Sequence, residues 1–245
     1  MRKYEIFTLI LIIIAEILLF SGQRIASIAV HSINILFMIG IVILKKEIKV
    51  IQAISLVSLL RIVNTSMPVF FSFTIYWFIT LYGIMYFPII IMVIDQNLNL
   101  KDIGINFKKL YLLPIGIIVG LGLASLEYSV IRPQALIPIM SPAELLKLGI
   151  AMVFFIGLVE ELIFRVFLQR RLEEEIGLIK GLLLASIIFG FMHSGYSNYY
   201  EILFASFAGL VLGFAYQKTK SLPFITVAHG FNNIFLFGIL PFLLR

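Results

Sequence analysis

The chain has 245 residues, of which 61% are hydrophobic and only 13% are charged. A soluble domain of this length cannot bury that much apolar surface, and the apolar residues come in runs of about twenty, so an all-α, polytopic transmembrane helical bundle is expected. The absence of cysteine excludes disulfides, thiolate catalysis and cysteine-based metal sites. The net charge of +6 indicates no nucleic-acid partner, because the basic residues are scattered at the ends of predicted helices.

Eight to nine membrane spans are predicted along the chain. The first apolar run has no small-residue cleavage site after it, and we interpret it as a retained span rather than a signal peptide. The run at 49–65 contains Gln52, Arg61 and Asn64, so its inclusion decides between eight and nine. The predicted spans are 5–21, 25–44, 49–65, 69–94, 111–131, 143–168, 178–196, 200–217 and 222–244.

The basic residues also predict an orientation. With nine spans and the N-terminus inside, twelve Lys and Arg residues lie on one side of the membrane and three on the other. Cytoplasmic loops carry the excess of Lys and Arg, so the N-terminus is expected in the cytoplasm. We therefore expect a multi-pass protein of the cell (plasma) membrane.

One predicted helix has a clear start and a clear end. Ser141-Pro142-Ala143-Glu144 is a capping box with proline at the first helical position, and Gly177 is a helix stop. The helix would be about 34 residues long, near 50 Å at 1.5 Å per residue. Since a bilayer core is only about 30 Å thick, its last turns should project into the cytoplasm.

Glu160, Glu161 and Arg165 lie in the middle of this helix, where a span should carry no charge. Each ionisable group costs roughly 2.5–3.5 kcal/mol at the bilayer centre, so the three together indicate a functional site. Glu161 and Arg165 are four residues apart and are predicted to pair on one face. Glu160 is rotated by about 100° around the helix axis from Glu161, so it cannot share Arg165 equally. A carboxylate in an apolar site without its own cation tends to act as a base or an acid.

Two histidines in later spans are expected to face the same interior. His193 and His229 lie in predicted spans, and Asn233 follows His229 on one helical face. A glutamate and a histidine can deprotonate a water, and a histidine with an asparagine can stabilise an oxyanion. Alternatively, Glu160, His193 and His229 could bind zinc with an open position. The spacing leaves both readings open.

The other polar residues of the predicted spans are assigned structural or interfacial roles, and the small-residue pairs of two spans are assigned to close helix packing. These residues are Glu16, His31, Arg61, Asp95, Glu127, Gly116, Gly120, Gly209 and Gly213.

Three motifs, each on a different predicted span, resemble those of the CAAX protease and bacteriocin-processing enzyme (CPBP, or Abi) family of intramembrane proteases, which includes the prenyl-protein CAAX endopeptidases. The resemblance covers roughly residues 111–245, which it implies form the catalytic transmembrane domain. Residues 1–110 are then N-terminal transmembrane helices of unassigned role. The motifs are Glu160-Glu161-x-x-x-Arg165, Phe189-x-x-x-His193 and His229-x-x-x-Asn233.

The resemblance implies hydrolysis of peptide bonds in membrane-associated peptides or proteins. It implies that Glu160 activates water with His193, that Glu161 and Arg165 support them, and that His229 and Asn233 stabilise the oxyanion. The family is often labelled as metalloproteases, but a metal-independent glutamate mechanism has also been argued for it. We favour the latter because Asn233 is a poor zinc ligand; zinc is the cofactor that the alternative would require.

Two other functions stay open from the sequence. The chain could be a non-enzymatic membrane scaffold or a bacteriocin-immunity protein that keeps the fold. It could also be a proton- or metal-coupled transporter, because intramembrane Glu and His residues also form proton relays.

Overall fold

The computed structural model describes residues 1–44, 49–65 and 75–244. In this part of the chain the structure is a bundle of nine helices without a strand, so the predicted all-α fold is confirmed. The helices are α1 (Lys3–Phe20), α2 (Arg24–Leu44), α3 (Lys49–Thr65), α4 (Ile75–Asp95), α5 (Leu113–Ile131), α6 (residues 142–176), α7 (Leu178–Phe191), α8 (Tyr199–Thr219) and α9 (residues 222–243).

Six stretches within the described ranges are long and apolar enough to cross a membrane: Arg24–Leu44, Ile75–Asp95, Phe107–Ile131, Leu178–Tyr196, Tyr199–Thr219 and Leu222–Leu243. The other three predicted spans also form helices. However, α1 carries three charged residues, α3 is only 17 residues long, and α6 carries charges at its centre. The predicted count of eight to nine spans is therefore not confirmed. The start of the predicted span 69–94, residues 69–74, lies outside the described residues.

The outer surface of the bundle is apolar and its interior holds polar groups. Phe87, Ile118 and Ile179 are 73%, 69% and 75% exposed, on three different helices. In contrast, Glu161 and Arg165 are completely buried. This inside-out distribution is that of a protein whose solvent is lipid, and the chain is a multi-pass membrane protein.

Helix α6 is the central element. It begins at the predicted place, with the Ser141 side chain accepting from the Glu144 amide at 3.3 Å. The predicted capping box is only half formed, because the Glu144 carboxylate accepts from Lys147 and the Ser141 amide donates to the Ile139 carbonyl oxygen. The helix ends at Gly177, which has a φ of +88°. It consists of α-helical Pro142–Ile150, Leu158–Glu161 and Arg170–Ile176, joined by π-helical Ala151–Gly157 and Leu162–Gln169. It packs against α3, α4, α7 and α9, and every residue of its second π-helical segment is buried.

Helix α5 packs closely along α9, as the small-residue pair on α5 predicts. A Cβ atom on Gly120 would lie 2.5 Å from the Ala228 carbonyl oxygen, and one on Gly116 would lie 3.0 Å from the Phe224 carbonyl oxygen. The absence of side chains at these two positions lets the backbones approach, which holds α9 in place against the rest of the bundle.

Candidate active site

The local structure of α6 places its two glutamates opposite α9. Glu160 and Glu161 end a four-residue α-helical piece that lies between the two π-helical segments. A Cβ atom on Gly157 would lie 3.2 Å from the Gly230 amide nitrogen, and one on Gly230 would lie 2.7 Å from the Val153 Cα. The two glycines thus allow backbone contact between α6 and α9. π-helical segments are frequent at functional sites, where they reorient side chains within a helix.

Glu161 joins Arg165 and His229 in one buried cluster. Its Oε2 accepts from Arg165 Nε at 3.0 Å, so the predicted pairing of these residues is present. Its Oε1 lies 2.8 Å from His229 Nδ1. Because a carboxylate only accepts hydrogen bonds, Nδ1 is the donor and the other ring nitrogen, Nε2, is directed towards Glu160.

Glu160 has partners that its position on the helix does not reveal. Its Oε1 accepts a 2.7 Å hydrogen bond from the Tyr82 hydroxyl of α4, and its Oε2 lies 3.8 Å from His229 Nε2. Its side chain is 11% exposed and lines a cavity. The expectation that Glu160 stands apart from the Glu161–Arg165 pair agrees with these contacts, but it is hydrogen-bonded to a neutral tyrosine rather than unpaired.

His193 lies in a turn just beyond the end of α7, and it falls within the candidate span Leu178–Tyr196, as predicted. Its Nδ1 lies 3.0 Å from the Phe189 carbonyl oxygen, which can only accept, so Nδ1 donates and Nε2 is left as an acceptor. The ring is stacked parallel to that of Tyr196, with 6.3 Å between centroids. With Nδ1 as the donor, a neutral ring offers Nε2 as an acceptor for a hydrogen bond from a water.

Asn233 lies one turn after His229 on α9 and is buried. Its Oδ1 lies 3.4 Å from Asn232 Nδ2, which donates in turn to Glu127 Oε2 at 2.7 Å. Asn233 also lines the cavity described below, and its side-chain amide is of a type that can donate to an oxyanion.

One cavity of about 420 Å³ connects the candidate residues. Four of the six predicted site residues line it, namely Glu160, His193, His229 and Asn233. Glu161 and Arg165 do not line the cavity, so they are placed to support the lining residues rather than to contact a substrate.

The residues assigned to interfaces or structure are mostly buried. Arg61 and Glu127 also line the cavity, and Glu16 is fully buried in an ion pair with Arg61. His31 lies beside Glu16 at 3.3 Å, whereas Asp95 is hydrogen-bonded to Gln52 near the surface. Sequence reasoning missed Tyr82 and the polar network of Arg61. The available signal was the presence of Arg61 and Asn64 inside a predicted span.

The zinc alternative can be tested on the donor geometry. Within residues 1–44, 49–65 and 75–244, no three His, Cys, Asp or Glu side chains come close enough together to hold a metal ion. The set Glu160, His193 and His229 therefore does not fit a zinc site in this arrangement, although all three side chains line the cavity.

Comparison with known proteins gives a match to a family model. Residues 142–235 match a family model described as Rce1-like, type II CAAX prenyl endopeptidase Rce1-like. No curated protein and no solved structure shows a significant match to the chain. The matched segment contains all three motifs and is similar to a family of proteases, which supports a peptide hydrolase in general. The predicted resemblance to the CAAX protease family is thereby confirmed over residues 142–235, the segment that carries the six motif residues.

Proposed function

We propose that the chain is an intramembrane endopeptidase that hydrolyses peptide bonds of membrane-associated peptides or proteins. The observation that carries this proposal is the shared cavity. A glutamate of α6, a histidine in the turn after α7, and a histidine and an asparagine of α9 line one cavity of about 420 Å³. These are the groups that general-base hydrolysis with an oxyanion site requires.

In the proposed reaction, a water in the cavity loses a proton to Glu160 while the Nε2 of His193 accepts its second hydrogen bond and orients it. The water oxygen bonds to the peptide carbonyl carbon, and the carbonyl oxygen becomes an oxyanion. Glu160 then returns the proton to the leaving nitrogen as the carbon–nitrogen bond breaks. The proposed steps use side-chain groups alone, and the donor geometry, which offers no three-ligand site among the described residues, supports this choice over zinc.

His229 and Asn233 are proposed to stabilise the oxyanion, on one condition. His229 Nδ1 is engaged by Glu161 at 2.8 Å, so only Nε2 can donate to an oxyanion. The ring must therefore carry both protons in the reacting state. Before the water transfers its proton, Glu161 on one side and Glu160 on the other give an imidazolium two carboxylate neighbours. Once Glu160 holds that proton, the oxyanion replaces it as the second negative neighbour. Arg165 fixes Glu161 from the opposite side, which is a positioning role for both residues.

We further propose that the protein resides in the cell membrane with its N-terminus in the cytoplasm. The asymmetry of Lys and Arg between the two sides supports this orientation.

The proposal is tested with purified protein in lipid vesicles and a library of membrane-tethered, fluorescence-quenched peptides. Glu160→Gln keeps the shape of the side chain but removes the base, and cleavage should fall at least about 100-fold. The matched control is Glu174→Gln, the same change on the same helix at a side chain that is 48% exposed. It should cleave like the unmodified protein, and cleavage should persist in the presence of a chelator.

Cleavage that survives Glu160→Gln would refute the proposed base. Complete loss of cleavage in chelator, restored by zinc, would refute the metal-independent reaction. Retained insertion and a normal thermal unfolding transition are needed in both glutamine variants for the comparison to hold.

A further inference from the structure

Tyr82 contacts the proposed base from outside the segment that matches the protease family. It lies on α4, is 5% exposed, and lines the cavity together with Glu160. Its hydroxyl lies 2.7 Å from Glu160 Oε1, across 78 residues of sequence. A hydrogen bond from a neutral donor to a buried carboxylate is among the stronger ones in proteins.

The direction of this hydrogen bond is set by a second contact. Asn64 Nδ2 of α3 donates to the Tyr82 hydroxyl oxygen at 3.2 Å. Since the tyrosine oxygen accepts from Asn64, its own hydrogen is free to point at Glu160. Asn64, Tyr82 and Glu160 thus form a chain of hydrogen bonds that ends on one oxygen of the carboxylate.

The two oxygens of Glu160 consequently differ. Oε1 is occupied by Tyr82, whereas Oε2 lies 3.8 Å from His229 Nε2, too far for a direct hydrogen bond. A polar separation of this length is one that a water molecule can bridge. The free oxygen is therefore the one that faces the proposed oxyanion site.

We propose that Tyr82 is a positioning residue of the proposed endopeptidase, holding Glu160 through Oε1 so that Oε2 accepts the proton of the attacking water. The inference rests on the proposed function. In this scheme the water proton moves to Oε2, the water oxygen bonds to the carbonyl carbon, and the same proton leaves Oε2 for the departing nitrogen. Tyr82 keeps its own proton throughout, so its contribution is orientation alone.

Packing of α4 against α6 does not depend on this contact. Tyr86, one turn further along α4, donates its hydroxyl to the Phe154 carbonyl oxygen in the first π-helical segment of α6. Tyr86 thus makes one hydroxyl hydrogen bond to the same helix without contacting Glu160. Tyr86→Phe is therefore a matched control for Tyr82→Phe.

The experiment measures kcat and KM on the best peptide of the library for both phenylalanine variants and for Glu160→Gln. Tyr82→Phe should lower kcat about 10- to 100-fold, the loss typical of a hydrogen bond to a charged group, with KM unchanged within about twofold. Tyr86→Phe should retain kcat, and the thermal unfolding temperatures of the two variants should agree. Asn64→Ala leaves α4 intact and should lower kcat about 3- to 10-fold.

Four results would overturn the inference. If Tyr82→Phe and Tyr86→Phe have the same kcat while Glu160→Gln is inactive, Tyr82 has no positioning role and the proposed function stands. If Tyr82→Phe raises KM at constant kcat, the residue binds substrate instead. If Glu160→Gln is fully active, the proposed function and the role of Tyr82 fail together. Should Tyr82→Phe not fold, an unchanged kcat in Asn64→Ala overturns the inference.

Discussion

A buried ion pair between the first and third helices should control both the stability of the bundle and the position of His193. Arg61 donates from Nε and Nη2 to the two oxygens of Glu16, both at 2.7 Å, and from Nη2 to the Met192 carbonyl oxygen. Ser194 donates to Glu16 Oε2 at 2.5 Å. The network therefore holds the residues immediately before and after His193.

Arg61→Met removes the cation and leaves Glu16 buried without its charged partner. Glu16 is completely buried, and breaking a buried pair from one side costs about 3–5 kcal/mol. Insertion scales give a similar figure of roughly 2.5–3.5 kcal/mol for one uncompensated charge in a membrane. A loss of this size is a large part of the roughly 5–15 kcal/mol that stabilises a folded protein.

The double variant Glu16→Gln/Arg61→Met separates charge from position. With both charges gone, the free energy of unfolding should fall by less than in either single variant, because no unpaired ion remains. The kcat should nevertheless stay about 10- to 100-fold low, since the Met192 carbonyl still lacks its donor and the turn at His193 can shift. Stability is thus restored while activity is not.

The assay is equilibrium unfolding in mixed micelles, combined with the peptide cleavage assay. Arg170→Met is the control. The pair of Arg170 with Glu174 is i,i+4 at 3.2 Å with both side chains partly exposed, and Arg170 makes one further hydrogen bond, to the Asp102 carbonyl oxygen at 3.1 Å, so its substitution should cost less than Arg61→Met. Additive stability losses in the double variant would refute the coupling. Full cleavage by the double variant would refute the link to His193.

Two further predictions concern helix packing and orientation. Gly120→Ala should destabilise the protein by about 1–3 kcal/mol in thermal unfolding, because its Cβ would lie 2.5 Å from the Ala228 carbonyl oxygen. The control Gly122→Ala should not destabilise it, because no atom lies within 4 Å of a Cβ at that position. Equal effects of the two substitutions would contradict the packing argument. For orientation, Ser21→Cys in this cysteine-free chain should react with a membrane-impermeant maleimide on intact cells, and Lys101→Cys only after lysis. The reverse pattern would contradict a cytoplasmic N-terminus.

Much of the fold could be predicted from the sequence because the relevant information is local. The apolar runs predict the helices, and the start and end of α6 depend on Ser141 and Gly177, whose effects act within one turn. The pairing of Glu161 with Arg165 is also local, since residues four apart share one face of a helix.

The rest could not be predicted because it depends on distant residues. The contact between Tyr82 and Glu160 spans 78 positions, and that between Arg61 and Glu16 spans 45. Neither pair has a spacing that a helical period could reveal. A prediction based on 3.6 residues per turn also cannot find the π-helical segments, which lie on both sides of the two glutamates.

The charges of α6 are compensated unequally, and the inequality favours Glu160 as the reacting group. Glu161 accepts from both Arg165 and His229. Arg165 is fully buried, and its two Nη atoms make no hydrogen bond within the described residues, but its guanidinium lies 4.8 Å from the centre of the Phe189 ring. Both residues are therefore fixed by fully enclosed contacts. Of Glu160, Glu161 and Arg165, only Glu160 lines the cavity. Its Oε2 lies 3.8 Å from His229 Nε2, the nearest ring nitrogen. Glu160 is thus a base that is hydrogen-bonded through one oxygen and free at the other.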